Sequence, residues 1–511
     1  MIIGLNRTAR VSMTCLALMT LAACGGQSDS QRDGGSNGGG NGTVSYTAGI
    51  FQPYKGLANR CTTAAEENNW LRSWINDTYL WYREVPDLNP NSYSDPLDYF
   101  DRLRTAETTP SGADKDKFHF WYPTDEWERL SQSGISAGYG AQFALLAATP
   151  PRDVRVAYVD PGTPAANAGL QRGDMIIAID GADAINGNTD AIVDTLNAGL
   201  FPEGTGETHQ IRLRSNDGSE RTVSLTSANV TSTPVQNVKV IDQGVRVGYL
   251  LFNDHIATAE QQLITAINTL NSGAGVDELV LDIRYNGGGY LYIASELAYM
   301  IAGSSRTSGQ TFERLTFNDK YPNNDAVTGQ ALQPIPFFST SDSNAPLPSL
   351  NLNRVFVLTG AGTCSASESI MNGLRGVGVE VIQIGGTTCG KPYGFYATDN
   401  CDTTYFAIQF KGVNDAGFGD YTDGFSPQNT VTAPGTTIPG CSVRDDFMRQ
   451  LGDPTEGRLA AALGYIGGGM CPAPPSGPVG VTKQGMPGAD ADAVLLRSPL
   501  RENRILGRPG A

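Results

Sequence analysis

Three β-rich runs in this chain end in glycine-dense turns, and nothing else in it limits the possible folds so tightly. ELVLDI at 278–283 passes through Asn286 into three consecutive glycines, Gly287 to Gly289, before an apolar helical pattern at 291–301. RVFVLT at 354–359 passes through Gly360-Ala361-Gly362 to Ser365, where Ala366, Ser367 and Glu368 open a helix over 365–374. EVIQI at 380–384 ends in Gly385-Gly386 and presents Lys391 between Gly390 and Pro392. Short apolar runs bounded by turn residues read as strands. With VGYLLF at 247–252, a helix over 258–270 and YFAIQF at 405–410, they make an α/β core over 236–471. A glycine triplet is entropically costly to fix, so it is expected where main chain must approach another group closely or adopt positive φ.

The chemistry of the turns is as specific as their placement. A serine at the start of a helix lies beside N–H groups with no intrahelical partner, at the positive end of the helix dipole. Such a site can hold a developing oxyanion. Taken alone, Ser365 and Glu368 also spell a capping box, Ser-x-x-Glu, which is a structural device. Lys391 changes that balance. A lysine is protonated at neutral pH and serves as a general base only if burial brings its pKa toward ~7 to 8. GGTTCGKPYGFY around it supplies glycine, proline and aromatic residues and no carboxylate that would hold the ammonium form. Serine, lysine and bare glycine N–H groups on three strand ends fit one active site.

Upstream, the character differs. Residues 56–133 read as helical: 64–82 carries Trp70, Trp74, Tyr79 and Trp81 among polar residues, and 96–103 makes a second short helix, the aromatics being core. Over 134–232 the order GISAGYGAQFAL, VRVAYVDPGTPAANAGLQRGDMIIAIDG, a helical DAIVDTLNAGL and two β-rich runs resembles a PDZ domain. That resemblance implies that Gly138, Tyr139, Gly140 and Ala141 offer backbone N–H groups to a peptide's C-terminal carboxylate, while a strand edge pairs with the peptide. The same glycines lack dinucleotide-site spacing. Gly385 to Lys391 matches a phosphate-loop pattern, but Pro392 follows the lysine where a hydroxyl would be needed, which rules out a nucleotide loop.

SASE at 365–368, followed after a helix and a strand by a Gly-Lys turn and preceded by Asp282-Ile283-Arg284-x-Asn286-x-Gly-Gly, resembles the C-terminal processing (tail-specific) peptidase family, whose order of helical region, PDZ domain and catalytic core fits 56–470. The resemblance implies an α/β (α+β) chain with a crotonase-like ββα catalytic core, an inserted PDZ-like domain and an N-terminal helical region. It implies Ser365 as nucleophile, Lys391 as general base, and an oxyanion hole from the N–H groups of Ala366 and Gly288, with no metal or cofactor. Some relatives place an aspartate late in the helix after the serine; here that stretch is Leu374-Arg375-Gly376, so Glu368 is the better supporting acid, with its capping role an equal reading. Of three histidines, His119 and His209 lie in the other regions, and His255 reads as a surface residue more than a base.

The first 24 residues have the layout of an export signal: Arg7 and Arg10, a short apolar stretch, then Leu21-Ala22-Ala23-Cys24, which resembles a bacterial lipobox with Cys24 lipidated. Residues 25–55 read as a Gly/Ser-rich tether and 472–511 as a Pro/Gly-rich tail. An envelope lipoprotein follows, attached to the membrane through its lipid. Six cysteines beyond Cys15 and Cys24 suggest disulfides, with Cys389–Cys401 the preferred pair. A net charge of −16 without a basic patch excludes nucleic-acid binding. The expected partner is a protein or peptide substrate with a free C-terminus. The alternative from another class is a binding protein that uses the same fold without catalysis.

Overall fold

Helix α1 (Ala64–Thr78) starts where Thr63 and Glu66 exchange the two hydrogen bonds of a capping box. It ends four residues before the expected Tyr82, because the chain turns extended at Tyr79 and the Leu80 N–H leaves the helix to donate to Ile408 O at 2.8 Å. Trp70 and Trp74 stack at 5.2 Å and both meet Tyr405, so the N-terminal region and the α/β core over 236–471 share one apolar core. The computed structural model describes residues 43–475 and a strand at 494–496. The expected export signal, Cys24 and much of the tether and tail lie outside them. The last residues of the expected tether fold onto α1, where Tyr46 and Phe51 lie against the Arg72 guanidinium. A strand not expected in the helical region, Phe120–Pro123, pairs antiparallel with Thr403–Phe406.

The PDZ-like region has its own core. An antiparallel ribbon of Ile135–Gly138 and Ala228–Thr231 carries the chain in and out. Between them lie β1 (Ala141–Ala147), β2 (Asp153–Val159), β3 (Met175–Ile179), α2 (Asp190–Leu200), β4 (Thr208–Arg214) and β5 (Glu220–Thr226).

The main sheet comprises β6 (Val235–Asp242), β7 (Arg246–Phe252), β8 (Glu278–Asp282), β9 (Arg354–Thr359), β10 (Glu380–Gly385) and β11 (Gly440–Ser442), in that spatial order. All neighbours from β7 to β11 are parallel, and β6 is antiparallel to β7. The helices are α3 (Ala259–Leu270), α4 (Leu291–Ala302), α5 (Ala366–Gly376) and α6 (Gly457–Gly468). Because β8, β9 and β10 are adjacent and parallel, their carboxyl ends lie side by side: Asp282 pairs with Leu358, and Thr359 with Gly385. Three junctions far apart in sequence thus emerge at one edge of one sheet.

Two expectations fail here. YFAIQF is not a strand of this sheet: Tyr405 and Phe406 pair with Trp121 and Phe120, while Phe410 begins Phe410–Val413, which pairs with Thr311–Thr316. The break falls at Gln409, whose Oε1 accepts the Tyr396 N–H at 2.7 Å and whose Nε2 reaches Thr78. The preferred disulfide also fails. Cys389 bonds to Cys364 across two loops of the site, Cys401 to Cys61 of the N-terminal region, and Cys441 to Cys471.

Candidate active site

Ser365 is the residue before α5 and has φ +60° and ψ −118°, a backbone region that costs a non-glycine residue about 1–3 kcal/mol. Its side chain is 2% exposed and its Oγ makes no hydrogen bond. Gly360, Ala361 and Gly362 bring β9 to this point, and the loop is pinned to the end of β8: Thr363 Oγ1 donates to Ile283 O at 2.9 Å and Cys364 N–H to Asn286 O at 3.1 Å.

Lys391 comes from the turn after β10 and is 6% exposed, with Nζ 4.0 Å from the Phe395 ring centroid and 4.7 Å from that of Phe118. Two ties bring its loop to Ser365. One is the Cys364–Cys389 disulfide, with Cα atoms 5.1 Å apart, backed by Cys389 N–H to Thr363 O at 3.0 Å. The other is Glu368. Its Oε2 accepts the Ser365 N–H at 3.0 Å and the Lys391 N–H at 2.8 Å; its Oε1 accepts the Gly390 N–H at 2.9 Å and Thr388 Oγ1 at 2.5 Å. Burial raises the pKa of this enclosed carboxyl, and these four hydrogen bonds to the ionised form oppose the shift. Glu368 therefore clamps the backbones of the Ser365 and Lys391 loops together. The hydrogen bond from the Ser365 N–H is the capping contact expected of Glu368. Cys364, Glu368 and Cys389 also bring ligand-type atoms within 4.8 Å of one another, but the two sulfurs are spent on each other.

The glycine loop lies where expected, with one change. A Cβ on Gly288, at φ +97°, would stand 2.8 Å from Ser365 Cβ and 2.9 Å from Ala366 N, so only glycine admits this approach. Ala366 opens α5, and its N–H is one of the helix's unpaired first four by geometry. The Gly288 N–H, however, donates to Asn286 Oδ1 at 3.0 Å. Asn286 also donates from Nδ2 to Phe252 O at 3.0 Å, and its carbonyl accepts Ser367 Oγ at 3.0 Å, which makes it the hub joining the glycine loop to α5. Its Oδ1 also faces His255 Nδ1 at 2.9 Å. An amide oxygen only accepts, so Nδ1 carries the proton. His255 is fully buried rather than on the surface, and burial first of all pushes its pKa down to about 3, which keeps it neutral. It supports the loop.

Gly138 ends its strand and Gly140 (φ +76°) lies so close to Thr163 that a Cβ would come within 2.4 Å. Tyr139 O accepts the Ala165 N–H at 2.9 Å and Gly140 O the Asp160 N–H at 2.8 Å, fixing the loop from behind as it enters β1 at Ala141. Sequence reasoning missed the roles of Asn286, Thr388 and the Cys364–Cys389 bond. The positions of the two cysteines, one before Ser365 and two before Lys391, were the available signal.

The model of peptidase family S41 matches residues 246–405, a span that includes Ser365 and Lys391. The S41 N-terminal domain matches 66–120, and the PDZ domain 155–199, beyond the Gly138–Ala141 loop. A putative S41 protease from Bacteroides fragilis shares the fold, with a TM-score of 0.58 and 23% identity over 78% of this chain and 97% of that one. In fold and in these three matched segments the chain is similar to peptidases of the S41 class that carry an N-terminal and a PDZ domain. Among curated proteins, it is similar to the carboxyl-terminal-processing protease of Picosynechococcus sp., 31% identical over 279 residues, covering 52% of this chain and 56% of that one. It is also similar to the chloroplastic C-terminal processing peptidase of Tetradesmus obliquus, 28% identical over 272 residues, covering 48% of this chain and 50% of that one. The chain spans about half the length of these curated relatives.

Proposed function

We propose that this chain is a serine endopeptidase that captures a polypeptide by its C-terminus at the PDZ domain and cleaves it through an acyl-enzyme on Ser365, on a core of the crotonase-like ββα type. The observation that carries this reading is the strained, buried Ser365 at a helix start, clamped to the loop of Lys391 by Glu368 and a disulfide. Lys391 takes the hydroxyl proton as Oγ attacks the scissile carbonyl, and later returns it to the leaving amine. The N–H of Ala366 stabilises the oxyanion. A second donor from the glycine loop requires Gly288 to release Asn286 Oδ1 when substrate binds. No step needs a metal or cofactor.

The test is digestion of an unfolded polypeptide with an apolar C-terminus. Ser365→Ala and Lys391→Ala are each expected to lose at least about 10³-fold in kcat/KM. Equal cleavage by all three proteins would sink the enzymatic reading in favour of a binding protein. Amidating the substrate's C-terminus is expected to raise KM, because a loop built for a carboxylate loses its ligand.

The lipobox-like Leu21-Ala22-Ala23-Cys24 supports a lipid-anchored protein of the bacterial envelope. Expressed with labelled palmitate, the chain is expected to take up label that Cys24→Ser abolishes; retained label in that variant would remove the anchor assignment.

A further inference from the structure

Strand β1 begins at the Gly138–Ala141 loop, and one of its edges is filled by β2. The other edge is occupied by a short strand of the tail, β12 (Val494–Leu496), so that the order across the sheet runs β12, β1, β2, β3, β4, β5. The pairing is antiparallel, with Val494 opposite Leu145, Leu495 opposite Ala144 and Leu496 opposite Phe143. Each step toward the C-terminus in β12 is therefore a step back along β1 toward Gly140. An added strand running antiparallel toward a loop of backbone N–H groups is the geometry of a peptide bound by strand augmentation.

We infer that the segment around Val494–Leu496 is an intramolecular ligand of the PDZ domain, lying on the edge that a substrate peptide must use. The inference rests on the assignment of that edge to substrate under the proposed function. The segment reads Ala-Val-Leu-Leu-Arg, four apolar residues in succession, so the occupant of the edge is an apolar extended peptide, and substrates of the same chemistry compete for it. A ligand tethered to its own site acts at a high effective concentration, and the site's affinity for a free peptide falls by the fraction of time the edge is empty. A ladder of three paired residues is short enough for a longer substrate strand to displace. The contact thus sets a threshold that only peptides able to pair better than the tail will cross.

The full chain carrying Ser365→Ala, so that no peptide is cut, is compared with the same protein carrying Leu495→Pro. Proline holds φ near −65° and has no N–H to donate, which disfavours the extended, paired backbone of a three-residue strand. The probe is a fluorescein-labelled synthetic decapeptide ending in Val-Leu-Leu with a free carboxylate, read by anisotropy. The Leu495→Pro protein is expected to bind it at least about fivefold more tightly. Equal affinity in the two proteins overturns the inference and leaves the PDZ assignment standing. Binding by neither overturns the PDZ assignment itself and the inference with it. A second readout needs no ligand: hydrogen exchange at the amides of 143–145 is expected to quicken about tenfold in the proline variant, and replacement of 494–496 by Gly-Ser-Gly is expected to do the same. Unchanged exchange in both overturns the inference whatever the anisotropy reads.

Discussion

Glu313 is buried beneath α5 with Oε1 lacking a hydrogen-bond partner, and burial lifts its pKa to about 8, opposed chiefly by a hydrogen bond with Ser369. In the unfolded chain the same carboxyl ionises near 4.5, its ordinary value. Between those two values the unfolded chain gives up the proton and the folded one keeps it, so stability falls as pH rises through the window and levels off above it. Glu313→Gln removes the dependence. Urea unfolding is expected to show the two proteins similar near pH 4.5 and the variant more stable at pH 8, by on the order of a few kcal/mol. A variant no more stable than the parent at pH 8 would mean that the carboxylate is satisfied there. At this scale the sequence was most informative about Ser365, Lys391 and Gly288, because each sits at a position where a strand must end and a backbone of special geometry begins. It was least informative about His255 and Glu368, whose surroundings are assembled from other loops.

The Cys364–Cys389 disulfide and Glu368 are two ties between the same pair of loops, one covalent and one of hydrogen bonds. Replacing both cysteines by alanine leaves no lone thiol and removes only the covalent tie. The closed loop spans 25 residues, for which chain entropy gives about 2–4 kcal/mol of stability. The double variant is expected to lose that much in urea unfolding and to lose kcat more than it gains in KM, since the tie positions Lys391 against Ser365 rather than holding substrate. Unchanged kcat would show that Glu368 alone keeps the loops in register. The strands β7 to β10 and helices α3 to α5 were legible to within a residue or two, since each is long, periodic and bounded by turn residues. YFAIQF was misplaced because alternation identifies a strand without naming its partner, and β11, three residues long, carries no periodicity to read.

Across the molecule, the PDZ-like region is held to the six-stranded sheet by buried charge. Arg172 donates to Tyr285 Oη at 2.7 Å and Asp445 Oδ1 at 2.6 Å; Asp445 in turn meets Arg284, which also pairs with Asp282 and Glu456. Arginines on three sides hold the Asp445 carboxyl well below the usual range, against the cost of its burial. Such groups tolerate burial only as a complete set, because removing one leaves another charged and unpaired in a medium of low dielectric. The network includes Arg284 and Tyr285, directly ahead of Asn286 and the glycine loop, so domain packing reaches the residues next to the candidate site. Among the described residues no helix is long and apolar enough to cross a membrane. The sequence by itself determined the order of three regions, the α/β core and the three glycine turns with their serine and lysine, because strand period, helix period and turn chemistry are written in near neighbours. The tertiary structure alone decided which cysteines meet, that Glu368 clamps backbone, that His255 is buried, that the N-terminal aromatics join the core of the α/β region, and that residues 494–496 lie on the PDZ edge. Those outcomes depend on contacts between residues tens to hundreds of positions apart, and no local pattern records which distant surfaces close on one another.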